Sequence, residues 1–205
     1  RAGSRSRRGA GVLVPLRETG TGVPLFVVTG AGAPAVSLIP LVRRLDPERP
    51  VYGLQAHGLE SRARPDRTVR AAARRYVEQI RRVRPTGPYA LAGHSMGGIV
   101  ALEMASMLHD AGEDVVEVVV VDSRLTTALL DGVDAAAEPA PESAGVDPDA
   151  VYEKLRLSLP ALLRIRLQMM VAGYVTFAPI TQWMLFYNKG LRMLAGHTPR
   201  TYPGS

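Results

Sequence analysis

The chain has 205 residues, 46% of them hydrophobic, enough to bury one sizeable core and to argue for a single domain. Its 25 Lys and Arg outnumber 19 Asp and Glu for a formal charge of +6, which favours acidic partners; with 5% aromatics and no nucleic-acid-binding motif, it does not argue for nucleic acid. The lack of Cys excludes thiolate chemistry, the four scattered His lack metal-ligand spacing, and no apolar run approaches the roughly 18 residues of a membrane helix, so no metal, no bound cofactor and a cytoplasmic location are expected.

Residues 1–11 mix Arg, Gly, Ser and Ala without periodicity and read as a linker or tag remnant, so folding is expected to start near Val12. Pro24-Leu25-Phe26-Val27-Val28 is an apolar burst running into the small-residue loop Thr29-Gly30-Ala31-Gly32, the pattern of a buried strand. A helix is expected over 36–45 and a second strand over 51–55. From 68 to 83, Val69, Ala73, Tyr76, Val77, Ile80 and Val83 fall at helical spacing, with Arg70, Arg74, Arg75, Arg81 and Arg82 on the opposite face. Pro85 and Gly87-Pro88 stop that helix. A strand over 89–93, a helix over 96–109 and a strand over 115–121 follow, the last β-branched as expected of a strand covered on both faces. This alternation argues for a mostly parallel sheet flanked by helices.

After Asp122 the pattern changes. Residues 134–149 are rich in Ala, Pro, Asp and Glu and read as a mobile loop. Asp147 is an N-cap candidate with Pro148 at the first helical position, and Pro160 either ends that helix or begins the next. The span 125–195 is expected to form a helical lid inserted between strands.

Gly93-His94-Ser95-Met96-Gly97 fits G-x-S-x-G, and its flanks carry more weight than its letters. A strand ending at His94 and a helix beginning at Met96 would force Ser95 into a strained turn that only Gly neighbours tolerate. The helix start would aim partial positive charge, and the Met96 N–H, at a developing oxyanion. An ordinary Ser in a Gly-rich turn is the competing reading. Ala31, in the loop after an earlier strand, is the second candidate oxyanion donor, although that loop also reads as a simple turn. A serine hydroxyl needs a base, and the base needs an acid to hold its tautomer. Asp122, directly after the 115–121 strand, is the leading acid; Asp131 and Asp134 are alternatives that fall in the lid.

Leu13-Val14-Pro15-Leu16, Arg49-Pro50-Val51-Tyr52-Gly53-Leu54-Gln55, Gly87-Pro88-Tyr89, the Gly-His-Ser-Met-Gly-Gly elbow and Val121-Asp122-Ser123 together resemble the chain-terminating thioesterase domains of polyketide synthases and nonribosomal peptide synthetases. Pro199-Arg200-Thr201-Tyr202-Pro203-Gly204 resembles that family's lead-in to its next strand. The resemblance implies an α/β-hydrolase in which Ser95 takes an acyl or peptidyl chain from a carrier-protein phosphopantetheine thioester, then releases it by hydrolysis or macrocyclisation. It implies an acyl or peptidyl carrier protein of the same synthase as partner, and leaves oligomeric state open. In the lid, Met169, Met170, Phe177, Trp183, Met184, Leu185 and Phe186 would line an acyl chamber, or pack as plain core. In the family the catalytic His follows the strand after the lid, and this chain stops before that strand. His197 is the nearest candidate but has no strand before it; His57, His94 and His109 read as structural or exposed. A free-standing editing thioesterase or general esterase would share the elbow and acid. A fragment that binds carriers without catalysis is the alternative of another class.

Overall fold

A computed structural model describes residues 11–123 and 159–198, together with Arg200 and Tyr202. The linker expected over 1–10, the loop over 134–149, the first lid helix, Asp131 and Asp134 lie outside the described residues.

The strands are short, four to seven residues each, and mostly apolar, with β5 β-branched at six of its seven positions. In chain order these are β1 (Leu13–Arg17), β2 (Leu25–Val28), β3 (Val51–Leu54), β4 (Tyr89–His94) and β5 (Val115–Val121). They form one sheet in the order β1-β3-β2-β4-β5, with β1 antiparallel to β3 and the remaining pairs parallel. The helices are α1 (Ile39–Val42), α2 (Val69–Val83), α3 (Met96–Asp110), α4 (Leu159–Val171) and α5 (Pro179–Ala195).

Alternation along β2 divides the core. Phe26 and Val28 face α2 and α3, where they meet Tyr76, Ile80, Val100 and Met104; Leu25 and Val27 face Leu38 and Val42. Both faces of β2 are therefore dry, which explains its unbroken apolar sequence, and burying Phe26 alone contributes about 2 kcal/mol. Helix α2 starts where Thr68 caps it, its hydroxyl accepting from the Ala71 N–H at 3.1 Å.

Three expectations need correction. Residues 13–16 precede the first expected strand, yet they pair with β3 as an antiparallel edge strand; Pro15 is tolerated there because an edge leaves one side of the backbone unbonded. The helix expected over 36–45 is a 3-10 turn, Ala35–Leu38, followed by the one-turn α1, with Pro40 in its first turn. Strand β5 is not covered on both faces by the described residues: Val116, Val119 and Val121 stay 38–55% exposed. Of the two readings of Pro160, the one that places it at the start of a helix holds, since it lies in the first turn of α4.

Candidate active site

The β4–α3 junction is a sharp turn at Ser95, whose φ of 55° and ψ of −125° lie where a residue with a Cβ is strained. The turn closes because its neighbours lack side chains. A Cβ on Gly93 would lie 2.1 Å from the Gly97 carbonyl oxygen, and one on Gly97 would lie 2.3 Å from the Val28 carbonyl oxygen. Three hydrogen bonds hold the strained residue. Its N–H donates to the Val121 carbonyl at 2.8 Å; its carbonyl accepts from the Gly98 N–H at 3.0 Å and from the Ser123 hydroxyl at 2.6 Å. The Ser95 hydroxyl makes no capping bond to α3, although Ser95 occupies the N-cap position. It remains half-exposed, at the end of a helix whose N–H groups carry partial positive charge.

The loop after β2 comes close to that serine. A Cβ on Gly30 would stand 3.6 Å from the Ser95 Cβ. Thr29 fixes one side of the loop, its N–H donating to the Leu54 carbonyl at 2.9 Å and its hydroxyl to the Ala33 carbonyl at 2.9 Å. Gln55, fully buried at the end of β3, fixes the other: its side-chain oxygen accepts from the Ala35 N–H at 2.6 Å, and its amide nitrogen donates to Gly11 and Glu60 at 2.8 Å. Ala31 and Met96 meet beneath α5. A Cβ on Gly190 of that helix would lie 2.6 Å from the Ala31 Cβ and 2.8 Å from the Met96 Sδ. The two candidate oxyanion residues thus share one wall of the site.

Asp122 follows β5 at the same sheet edge, since His94 and Val121 are register partners on β4 and β5. It has φ of 50° and a side chain 85% exposed, with a carboxylate oxygen 3.7 Å from His94 Nε2. His94 therefore sits directly before the candidate nucleophile in the chain, and against the candidate acid in space. Among the described residues no histidine ring hydrogen-bonds to the Ser95 hydroxyl. His57 Nδ1 lies 2.9 Å from the Arg64 carbonyl oxygen, and His109 packs edge-on to Tyr202. His197 follows α5 in the field of Glu103 and Arg200; burial chiefly holds its imidazole below the usual histidine range. Glu103 lies two turns along α3 from the Ser95 end, so His197 belongs to the far part of that helix.

The candidate chamber residues separate. Met169 and Phe177 pack against the cluster of Leu59, Ala172, Leu185 and Phe186. Met170 is 76% exposed, and Trp183 and Met184 about 40%; Trp183 stacks on Tyr187 at 5.3 Å. Sequence reasoning did not single out Gly30, Gln55, Ser123 or Gly190. Gln55 and Ser123 stood inside the quoted motifs, but Gly190 carried no signal, because a helical Gly does not reveal what crosses it. Among the described residues, no cluster of three or more His, Asp or Glu could hold a metal, and no helix is long and apolar enough to cross a membrane.

A mostly parallel sheet flanked by helices, with a strained Ser at a strand–helix junction, is the architecture of the α/β-hydrolases. Solved structures share it. The NocB thioesterase domain from the nocardicin cluster, determined in covalent complex with a fluorophosphonate nocardicin G analog, superposes with a TM-score of 0.61 at 26% identity, over 92% of this chain and 72% of that one. The RedJ thioesterase of the prodiginine pathway in Streptomyces coelicolor gives 0.58 at 26%, over 87% and 64%. Residues 23–147 match the thioesterase domain family, and the chain belongs to it. Over 112 residues, 55% of this chain, it is 43% identical to malpibaldin synthetase of Mortierella alpina and 41% identical to a dimodular nonribosomal peptide synthase of Bacillus subtilis (strain 168). It spans only 2% and 5% of the length of those relatives.

Proposed function

We propose that this domain releases an acyl or peptidyl chain from the phosphopantetheine thioester of a carrier protein, through an acyl-enzyme on Ser95. The observation that carries the reading is the strained Ser95, whose hydroxyl makes no capping bond to α3. The Ser95 oxygen would attack the thioester carbonyl, the C–S bond would break and the pantetheine thiol would leave with the proton. Water, or a nucleophile within the chain itself, would then displace the ester oxygen. The N–H groups of Met96 and Ala31 would carry the negative oxygen of each tetrahedral intermediate, such donors being worth about 3 kcal/mol apiece. Asp122 would orient the base that relays the proton. Similarity to peptide synthetases supports a carrier protein as the donor, and the basic surplus suits an acidic partner.

Intact mass after treatment with a fluorophosphonate tests this reading, because labelling depends on an activated hydroxyl. One adduct, lost in Ser95→Ala, is the expected result. No adduct under conditions where a related thioesterase labels completely would favour a domain that binds carriers without catalysis. Acyl transfer is then followed with a short acyl N-acetylcysteamine thioester.

A further inference from the structure

A pocket opens beside the elbow, lined by Lys189 and Gly190 of α5, Tyr76 of α2, His57 and Asp66 of the β3–α2 connection, and Met96. Much of its wall is apolar, yet four residues that ionise line it, so the sign of its field decides what it can hold. Asp66 does not set that sign. Both its oxygens are engaged by Arg75, at 3.0–3.1 Å in a forked contact that compensates the carboxylate. The other acid of the same connection, Glu60, accepts from Gln55. Tyr76 is a neutral donor, burial pushing its phenol far above the ordinary tyrosine range. The Arg64 carbonyl takes the Nδ1 position of His57.

Lys189 remains. It is half-buried, and among the described residues no carboxylate lies within salt-bridge distance of its amine. Burial first, then the positive charges of Arg67 and Arg192, hold that amine below the usual lysine range. A half-buried ammonium among like charges is relieved by an incoming anion, which screens the repulsion and replaces lost hydration.

We propose that the pocket between α2, α5 and Met96 is a subsite for an anionic oxygen group, phosphate or carboxylate, carried by the thioester substrate and gripped by Lys189. Its identity as part of the substrate rests on the thioesterase reading. Met96 directly follows Ser95, so a group held here is anchored beside the reacting carbonyl, and binding energy away from that carbonyl can position it. Two sources carry the chemistry: the phosphate of the pantetheine arm, and a carboxylate on the acyl chain. A neutral aliphatic acyl chain on a truncated arm would leave the subsite unused.

Calorimetric titration of the full chain at low salt tests this with two matched pairs. One is 4′-phosphopantetheine against pantetheine; the other is the non-hydrolysable amide analogue of glutaryl-N-acetylcysteamine against its pentanoyl counterpart. The anionic member of at least one pair should bind about tenfold tighter, the ordinary scale for one charge-assisted contact in a partly buried site. That preference should disappear in Lys189→Met, which keeps the aliphatic stem, and persist in Lys189→Arg, which shows that the fold is intact. The pair that responds identifies the source. Equal binding within both pairs, or a preference that survives Lys189→Met, overturns the subsite. Fluorophosphonate labelling of Ser95, run alongside, separates this outcome from failure of the catalytic reading. Labelling without anion preference removes the subsite alone. Anion preference without labelling supports the subsite and removes the catalytic role.

Discussion

The sheet with its elbow and the α4–α5 layer are built on opposite principles. Around Ser95 backbone meets backbone: a methyl group added at Gly93 or Gly97 would lie 2.1–2.3 Å from a carbonyl oxygen, and the strained residue is held from three directions. The α4–α5 layer instead keeps large apolar side chains in the open, with Leu163 at 70% exposure and Met170 at 76%. It touches the elbow region at a few points: Gly190 over Ala31 and Met96, Gly32 against the Trp183 backbone, and the Gln182 amide donating to the Leu59 carbonyl at 2.9 Å. The difference teaches where precision and adaptability reside. Close backbone packing fixes positions to fractions of an ångström, whereas exposed apolar side chains stay free to rearrange.

Substitutions can break this contrast, and the largest effect is expected at the elbow. Gly93→Ala should lower the free energy of unfolding by about 3 kcal/mol in a urea melt, the upper end of overpacking costs, because the opposing carbonyl belongs to the same turn and has nowhere to move. A loss under 1 kcal/mol would mean that the elbow yields as readily as the α4–α5 layer. Gly190→Ala sets two effects against each other: about 1 kcal/mol of helix propensity gained against roughly 1–3 kcal/mol of overpacking on Ala31. Met96 can swing its thioether aside, but Ala31 sits in a loop pinned by Thr29 and Gln55. A net loss of about 1 kcal/mol is expected, with slower fluorophosphonate labelling of Ser95. A gain in stability would show α5 to be free to shift.

Smaller effects sharpen the same comparison. His197, downstream of α5, has a folded-state pKa below its unfolded value of 6.5, so the unfolded chain binds more protons in that window. Its contribution is complete above about pH 6.5 and falls away as pH drops toward the folded-state pKa. The urea midpoint should therefore decline more between pH 7.5 and 5.0 in the wild type than in His197→Gln; parallel declines would remove the assignment. Met170→Ser, at a side chain mostly in water, should change stability by no more than about 0.5 kcal/mol. A larger loss would show that Met170 is covered in solution.

The elbow and the 68–83 helix were legible because their signals are local. Gly on both sides of Ser95 has one cheap structural meaning, and a 3.6-residue period names the buried face of a helix directly. Strand β1 was not legible, because Pro15 argues against a strand until its position at the sheet edge is known. The contact between His94 and Asp122 depends on the register of β4 against β5, a long-range property that neither strand encodes alone. Exposure of Met170 and Trp183 was hidden for a related reason: an apolar stripe shows which residues could be covered, not which neighbour covers them.

The buried carboxamide of Gln55 has a polarity as well as a position. Its oxygen faces an N–H, while its NH2 faces a carbonyl and a carboxylate. Turned end for end, it would set donor against donor and acceptor against two acceptors. The side chain is thus a keyed joint: it fits one way round, and while it is seated the loop bearing Ala31, the entry to β1 and the start of the β3–α2 connection share one alignment. Glutamate has almost the same shape and would not fit the key, since a second carboxylate would face Glu60 where an amide now donates.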